Sequence, residues 1–165
     1  MSSAPEIVTR AAQPYVAIRT QVTMADLGTV VPPLNQEVFA WLGGHGTAPA
    51  GAPFWKYNVI DMAGELEIEA GVPVAAAVAG DDRVVSGMLP AGRYATLTHV
   101  GHPSELMAAT KALLDWAAGQ GLTWDVTPSE SGDRWGCRLE TYLTDPREEP
   151  DMRKWVTQLA FRLAD

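Results

Sequence analysis

The predicted secondary-structure elements occur in the same order twice along the chain, and this repeat limits the fold more than any other feature of the sequence. Each half begins with an alternating apolar segment that predicts a strand, at residues 15–22 and again at residues 94–100. A segment with helical spacing follows, and further strands complete the half. The chain has 165 residues, which suits one domain, residues 1–165, whose halves cover about residues 5–80 and 82–165.

The other elements are predicted from apolar spacing and from the Gly and Pro residues that end them. They are helices in the second part of residues 24–42 and at 103–118, and strands at 54–61, 65–70, 84–89, 134–144 and 154–163. We therefore expect an α+β fold with two strand–helix–strand–strand modules in a pseudo-twofold arrangement. A helix covers only one face of an antiparallel sheet, so we expect the helices on one face and a ligand trough on the other.

Glu140 lies in the middle of the predicted strand 134–144. Because strand side chains alternate between faces, Arg138, Glu140 and Tyr142 share one face, while Cys137 and Leu139 share the opposite, apolar one. A carboxylate beside a tyrosine in the middle of a strand suggests a ligand-binding or proton-transfer group. The same pattern also fits a solvated strand face that carries an Arg138–Glu140 pair.

The segment Trp55-Lys56-Tyr57 of the first half occupies the position that Glu140 to Tyr142 occupy in the second half. Trp55 and Tyr57 share one strand face and Phe54 lies on the other, so alternation leaves open which face borders the trough. By analogy with the second half, we place Tyr57 in the trough. Aromatic side chains near strand ends can line such a site. The candidate ligand-binding residues are Phe54, Trp55, Tyr57, Trp135, Arg138, Glu140 and Tyr142.

Three further acids alternate along the predicted strand 65–70. Glu65, Glu67 and Glu69 lie on one face, opposite Leu66 and Ile68. The simpler interpretation is a solvated strand face. The alternative is that these carboxylates add negative potential to the rim of the trough.

The charge balance limits the binding partners. The chain has 20 acidic and 12 basic residues, which gives a net charge of −8. Binding of nucleic acids relies on Lys and Arg to neutralise phosphates, so direct nucleic-acid binding is not expected. An acidic protein can instead attract cationic ligands.

The sequence has no pattern typical of a cofactor, a metal or a membrane span. Cys137 is the only cysteine, so no intramolecular disulfide can form. The three histidines, His45, His99 and His102, are not spaced as metal ligands, and residues 43–46 lack the Lys-Ser/Thr of a phosphate loop. The N-terminus has no apolar signal core, and no apolar run approaches the roughly 20 residues of a membrane span. We therefore predict a cytoplasmic protein without a cofactor or metal.

Three segments carry a resemblance to a known family. Residues 89–101, which are followed by an amphipathic helix, residues 140–146 and, less closely, residues 67–74 resemble the GyrI-like family, the AraC-type or SOUL-related effector-binding domain. The resemblance implies two strand–helix–strand–strand modules and a central glutamate in an aromatic cleft, which maps to Glu140. The chain departs from the family at residues 101–103, which are Gly-His-Pro where Gly-Pro-Tyr is frequent.

The resemblance also implies a set of functions, which we weigh as for a stand-alone member of the family. Binding of a bulky, mostly apolar and often cationic aromatic compound is our first hypothesis, with Glu140 as its counter-charge. The alternative is a hydrolase that opens cyclopropane rings in DNA-alkylating natural products, with Glu140 and a hydroxyl of Tyr57 or Tyr142 as catalytic groups. The second alternative is a protein partner, such as a regulator or DNA gyrase. The sequence leaves the ligand and the oligomeric state open.

Overall fold

Alternating apolar side chains build ten antiparallel strands, and a computed structural model describes residues 1–165. All ten strands belong to one sheet. They are β1 (Glu6–Arg10), β2 (Gln13–Thr23), β3 (Phe54–Ile60), β4 (Glu65–Pro73), β5 (Val85–Leu89), β6 (Gly92–Val100), β7 (Val126–Ser129), β8 (Gly132–Trp135), β9 (Arg138–Tyr142) and β10 (Val156–Arg162). The helices are α1 (Leu27–Gly44) and α2 (Leu106–Gly119), with short 3-10 turns at Pro103–Glu105 and Met152–Lys154. The predicted α+β class is confirmed.

The structure differs from the prediction at three places. The first is β1 and β7, which the sequence pattern did not predict. The second is the predicted strand 134–144, which divides into β8 and β9 because the chain bends at Gly136, whose N–H donates to the carbonyl of Asp125. The third is the helix in residues 24–42, which begins already at Leu27 and continues through Pro32 and Pro33.

The order of strands places the two halves side by side. The order is β1-β6-β10-β9-β3-β4-β2-β5, so β9 of the second half pairs with β3 of the first half in the middle. Along this pair Trp55 lies opposite Glu140. α1 packs over β2 and β4, and α2 packs over β6. Strands β9 and β3 therefore run between the two helices.

The sheet curls away from the helices. β1 and β2 are adjacent along the chain and are joined through Ala11 and Ala12 only, yet they lie at opposite sides of the sheet order. The same holds for β5 and β6, so the ends of the sheet must approach each other. The face without helices is therefore concave, and its apolar cluster is Tyr15, Ala17, Phe54, Leu89, Tyr94, Cys137, Leu139 and Ala160. We call it the concave face, and the opposite one the helix-bearing face.

The helix-bearing face is covered by apolar stripes on the two helices. The buried positions of α1 are Val31, Asn35, Val38 and Leu42, and those of α2 are Ala109, Leu113 and Ala117. Their spacing of three and four residues keeps one side of each helix against the sheet. Neither helix combines the length and the hydropathy that crossing a membrane requires.

Candidate functional site

Glu140 projects from the centre of the helix-bearing face. It lies opposite Leu159 of β10, which packs in the cluster of α2, and opposite Trp55 of β3, whose indole reaches Asn35 of α1. Opposite residues of an antiparallel pair share a face, so Glu140 stands between the two helices. The sequence pattern predicted the trough on the face opposite the helices. The structure places Glu140 elsewhere because α1 covers β2 and β4 and α2 covers β6, which leaves the central strands β3 and β9 accessible.

Both oxygens of the Glu140 carboxylate accept a hydrogen bond from a tyrosine. The Tyr142 hydroxyl donates to Oε1 at 2.6 Å, and the Tyr57 hydroxyl donates to Oε2 at 3.2 Å. The Trp55 ring meets the Tyr142 ring edge-on, with centroids 5.1 Å apart and planes at 70°. All four side chains are partly exposed. We call Trp55, Tyr57, Glu140 and Tyr142 the Glu140 cluster.

Burial dominates the electrostatics of this cluster. Loss of water around the carboxylate raises the pKa of Glu140, although the hydrogen bonds from Tyr142 and Tyr57 and the charge of Arg138 oppose the shift. Burial and the neighbouring negative charge raise the pKa of Tyr57 and of Tyr142 well above the usual value. Both hydroxyls therefore stay protonated near neutral pH and remain donors.

Arg138 shares the strand with Glu140 but does not pair with it. None of the ion pairs of the molecule includes Glu140 or Arg138. The guanidinium of Arg138 lies instead over the rings of Trp135, at 4.7 Å, and Phe161, at 4.4 Å. Burial lowers the pKa of Arg138 to about 10. The Arg138–Glu140 pair that the strand pattern allowed is thus absent.

Trp135 and Phe54, two predicted site residues, do not join the Glu140 cluster. Trp135 is buried against Trp124 and Phe161 and forms part of the surface under Arg138. Phe54 lies on the concave face, where its ring meets Tyr15 edge-on at 5.5 Å. Phe54 therefore does not face the Glu140 cluster, because strand alternation sends Phe54 and Tyr57 to opposite faces.

Asn35 is a site residue that the sequence analysis missed. Its side-chain oxygen accepts from the indole N–H of Trp55 at 2.8 Å, and its amide donates to the carbonyls of Phe54 and Gly71, each at 3.3 Å. It fixes the Trp55 ring to α1. The available signal was an asparagine within the apolar stripe that includes Val31 and Val38, since a buried amide needs partners.

Glu69 is a second buried carboxylate, which lies on the concave face and is 1% exposed. It accepts from Tyr15 at 2.8 Å and from Asn58 at 2.6 Å, and Lys56 lies 3.4 Å away. The prediction of a solvated face was therefore wrong at Glu69. Glu65, on the same strand, is exposed as expected. Strand spacing could not separate the two, because the difference arises from the curl of the sheet.

The geometry of the Glu140 cluster suits recognition of an organic ligand. It offers a carboxylate that forms no ion pair, two neutral hydroxyls and an aromatic wall. No three His, Cys, Asp or Glu side chains lie close enough together to hold a metal ion.

Comparison with known proteins adds a family and a set of related folds. Residues 3–164 match the family of GyrI-like small molecule binding domains. EcmrR, in a complex with DNA, is similar with a TM-score of 0.76 at 16% identity, and 98% of this chain matches 57% of that chain. SAV2435 bound to tetraphenylphosphonium gives a TM-score of 0.68 at 12% identity, and the match covers 98% of this chain and 94% of that chain. A hydrolase from Listeria innocua gives a TM-score of 0.60 at 15% identity, and the match covers 97% of this chain and 91% of that chain.

These likenesses confirm the fold, and the family that the sequence motifs indicated is confirmed as well. This chain spans 57% of the length of EcmrR in the DNA complex. No curated protein sequence matches the chain significantly.

Proposed function

We propose that this chain, which belongs to the GyrI-like small molecule binding domain family, binds a bulky, mostly apolar organic cation at the Glu140 cluster. One observation carries the proposal: the partly buried Glu140 carboxylate forms no ion pair with any basic residue of the molecule. A carboxylate in such a place is costly to ionise until a positive charge arrives. The ligand would supply that charge.

The contrast with Glu69 supports this assignment. Glu69 is the more deeply buried of the two carboxylates, and Lys56 and Arg19 stand near it as counter-charges. Only Glu140 is left with neutral donors, from Tyr57 and Tyr142. Buried charges are normally paired within the protein, so the missing partner at Glu140 points to an external one.

The walls of the cluster suit an apolar, aromatic ligand. The rings of Trp55, Tyr57 and Tyr142 are partly exposed around the carboxylate. Aromatic faces attract cations as well as flat rings. SAV2435, which shares the fold, binds tetraphenylphosphonium, a cation surrounded by phenyl rings.

Titration with tetraphenylphosphonium tests the proposal. We expect the Glu140→Gln variant to bind at least about tenfold more weakly, because it loses a charged contact worth roughly 1.5–3 kcal/mol. Glu65→Gln removes the same charge from an exposed position and serves as the control. The affinity of the unmodified protein should also rise with pH as Glu140 ionises. Equal affinities of the unmodified protein and Glu140→Gln would contradict the proposal.

A hydrolase is the second candidate, and the two tyrosine hydroxyls on a carboxylate of raised pKa favour it. In a cyclopropane conjugated to a carbonyl, a water oxygen would bond to a ring carbon while a ring C–C bond breaks. The released electron pair would move to the carbonyl oxygen, which a tyrosine O–H would hydrogen-bond. Glu140 would take the proton of the water and return it to the product, for a net gain of one water. One hydroxyl would have to turn from Glu140 to the substrate.

Mass spectrometry separates the two candidates. A hydrolase would convert a spirocyclopropane substrate into a product that is one water heavier, at a rate that Glu140→Gln reduces by about a hundredfold or more. Tyr57→Phe and Tyr142→Phe would show which hydroxyl is used. Tight binding of tetraphenylphosphonium without turnover above the rate in buffer would leave binding alone as the function.

A further inference from the structure

A cavity opens on the concave face, on the other side of the sheet from Glu140. Its volume is 410 Å³, within the range of roughly 300–1,000 Å³ typical of small-molecule sites. It forms where the curl of the sheet brings the end of β1 close to the end of β5. Its apolar wall includes Phe54, Leu89 and Leu139 of the concave cluster, and Leu143, which is 51% exposed, stands at its border.

Three polar side chains gather along one wall of this cavity. The Arg10 guanidinium donates to Gln158 Oε1 at 2.9 Å, and Gln158 lies opposite Thr141 on the paired strand β9. Gln158 takes part in this bond only as an acceptor, and neither its amide N–H groups nor the Thr141 hydroxyl donates to another protein group. This wall therefore presents a guanidinium, an amide and a hydroxyl that can all donate hydrogen bonds.

The charge of this wall is positive. No acidic residue lines the cavity. Arg10 forms no ion pair, and its guanidinium lies over the Tyr94 ring at 5.3 Å. Arg10 therefore has no carboxylate partner, although the chain has a net charge of −8. A guanidinium of this kind binds a carboxylate strongly, because it can donate two parallel hydrogen bonds.

We propose that the cavity on the concave face binds a small amphipathic carboxylate. The carboxylate would contact Arg10, Gln158 and Thr141, and the hydrocarbon part would lie against Phe54 and Leu139. The preference for charge is the opposite of that at the Glu140 cluster. Because the two sites lie on opposite faces, the second can exist whether or not the first binds cations.

Isothermal titration calorimetry with three ligands of equal chain length tests this site. We expect octanoate to bind with a stoichiometry of one, and octanol and octyltrimethylammonium to bind at least about tenfold more weakly, since they lack the charge that Arg10 recognises. Arg10→Gln should weaken octanoate by a similar factor and leave octanol unchanged. Arg93→Gln removes the same charge from the opposite face of the neighbouring strand and should have no effect.

A second variant tests the cavity without changing the charge of Arg10. Ala52 lines the cavity and is partly exposed, so Ala52→Trp can fill the opening without burying a new group. It should reduce the binding of both octanoate and octanol. Octanoate affinity that is unchanged in Arg10→Gln would overturn the proposal. So would displacement of octanoate by tetraphenylphosphonium together with loss of octanoate binding in Glu140→Gln, because both ligands would then share the other site.

Discussion

Glu140 and Glu69 are chemically identical, and their surroundings give them different roles. The Lys56 ammonium balances Glu69 at 3.4 Å, whereas Glu140 has only the hydroxyls of Tyr57 and Tyr142. Burial raises the pKa of Glu140. The folded protein therefore holds the Glu140 proton more tightly than the unfolded chain does, and ionisation of this group opposes folding.

The Glu140→Gln variant should be more stable than the unmodified protein at neutral pH. At a pH well below the pKa of Glu140 in the unfolded chain, the carboxyl is protonated in the folded and in the unfolded protein. Ionisation of Glu140 therefore makes no difference to stability at that pH. As the pH rises through the folded pKa of Glu140, the unmodified protein loses stability and the variant does not. We expect a gain of about 1 kcal/mol at pH 7. Urea unfolding at pH 3 and pH 7 measures it. A variant whose advantage in stability over the unmodified protein is smaller at pH 7 than at pH 3 would contradict the prediction.

Substitution of Glu69 should have the opposite result. Glu69→Leu leaves Lys56 without its counter-charge and removes the acceptor of the Tyr15 and Asn58 hydrogen bonds. Breaking a buried pair in this way costs about 3–5 kcal/mol. Glu65→Leu, at an exposed position of the same strand, should stay within about 0.5 kcal/mol. Unfolding in urea measures the free energy of unfolding of the two variants. An equal loss of stability in Glu69→Leu and Glu65→Leu would show that the contacts of Glu69 do not stabilise the fold.

At the scale of elements, the site depends on how α1 is attached to the sheet. Asn35 is buried in the helix and bonds to backbone carbonyls of β3 and β4, as well as to the Trp55 indole. Close packing of strands under the helix also matters. A Cβ on Gly71 would lie 2.5 Å from the Phe54 ring, so the glycine is required there. The strands and the helix thus hold Trp55 on one face and Phe54 on the other.

Replacing Asn35 by alanine should loosen Trp55 without unfolding the chain. The substitution leaves the indole N–H of Trp55 without its acceptor and removes a donor to two strand carbonyls, at a cost of about 1–3 kcal/mol. We expect weaker binding of tetraphenylphosphonium and a change in tryptophan fluorescence. Asn35→Asp, which keeps the acceptor for Trp55, should retain more of the ligand affinity than Asn35→Ala. Identical affinities of Asn35→Ala and the unmodified protein would mean that the position of Trp55 is not important for binding.

At the scale of the whole molecule, one curled sheet separates the two ligand sites that we propose. The Glu140 cluster lies between the helices, and the cavity beside Arg10 lies on the concave face. Ligands that bind different sites of the folded state stabilise it independently, since each contributes its own mass-action term. The fold thus allows a cation and a carboxylate to bind together.

Thermal unfolding with both ligands tests this arrangement. We expect the stabilisation by tetraphenylphosphonium and the stabilisation by octanoate to add to within about 0.5 kcal/mol, as for distant sites. Arg10→Gln should remove only the contribution of octanoate, and Glu140→Gln only that of tetraphenylphosphonium. A combined effect no larger than the greater single effect would place both ligands in one site.

Much of this protein follows from the sequence by itself. The repeated order of elements predicted the α+β class and most strands, because apolar alternation and helical spacing are local properties. Alternation also assigned Glu140 and Tyr142 to one face and Leu139 to the other. The motifs at residues 89–101 and 140–146 indicated the family.

The tertiary structure decided which faces meet. Alternation divides residues between two faces, but only packing shows which face the helices cover. The sequence pattern predicted Glu140 on the face opposite the helices, and the structure places it on the helix-bearing face. The curl of the sheet buries Glu69 and leaves Glu65 in water. It also makes the strand face that carries Phe54 the concave interior. These outcomes depend on contacts between residues far apart in the chain, and local patterns carry no information about them.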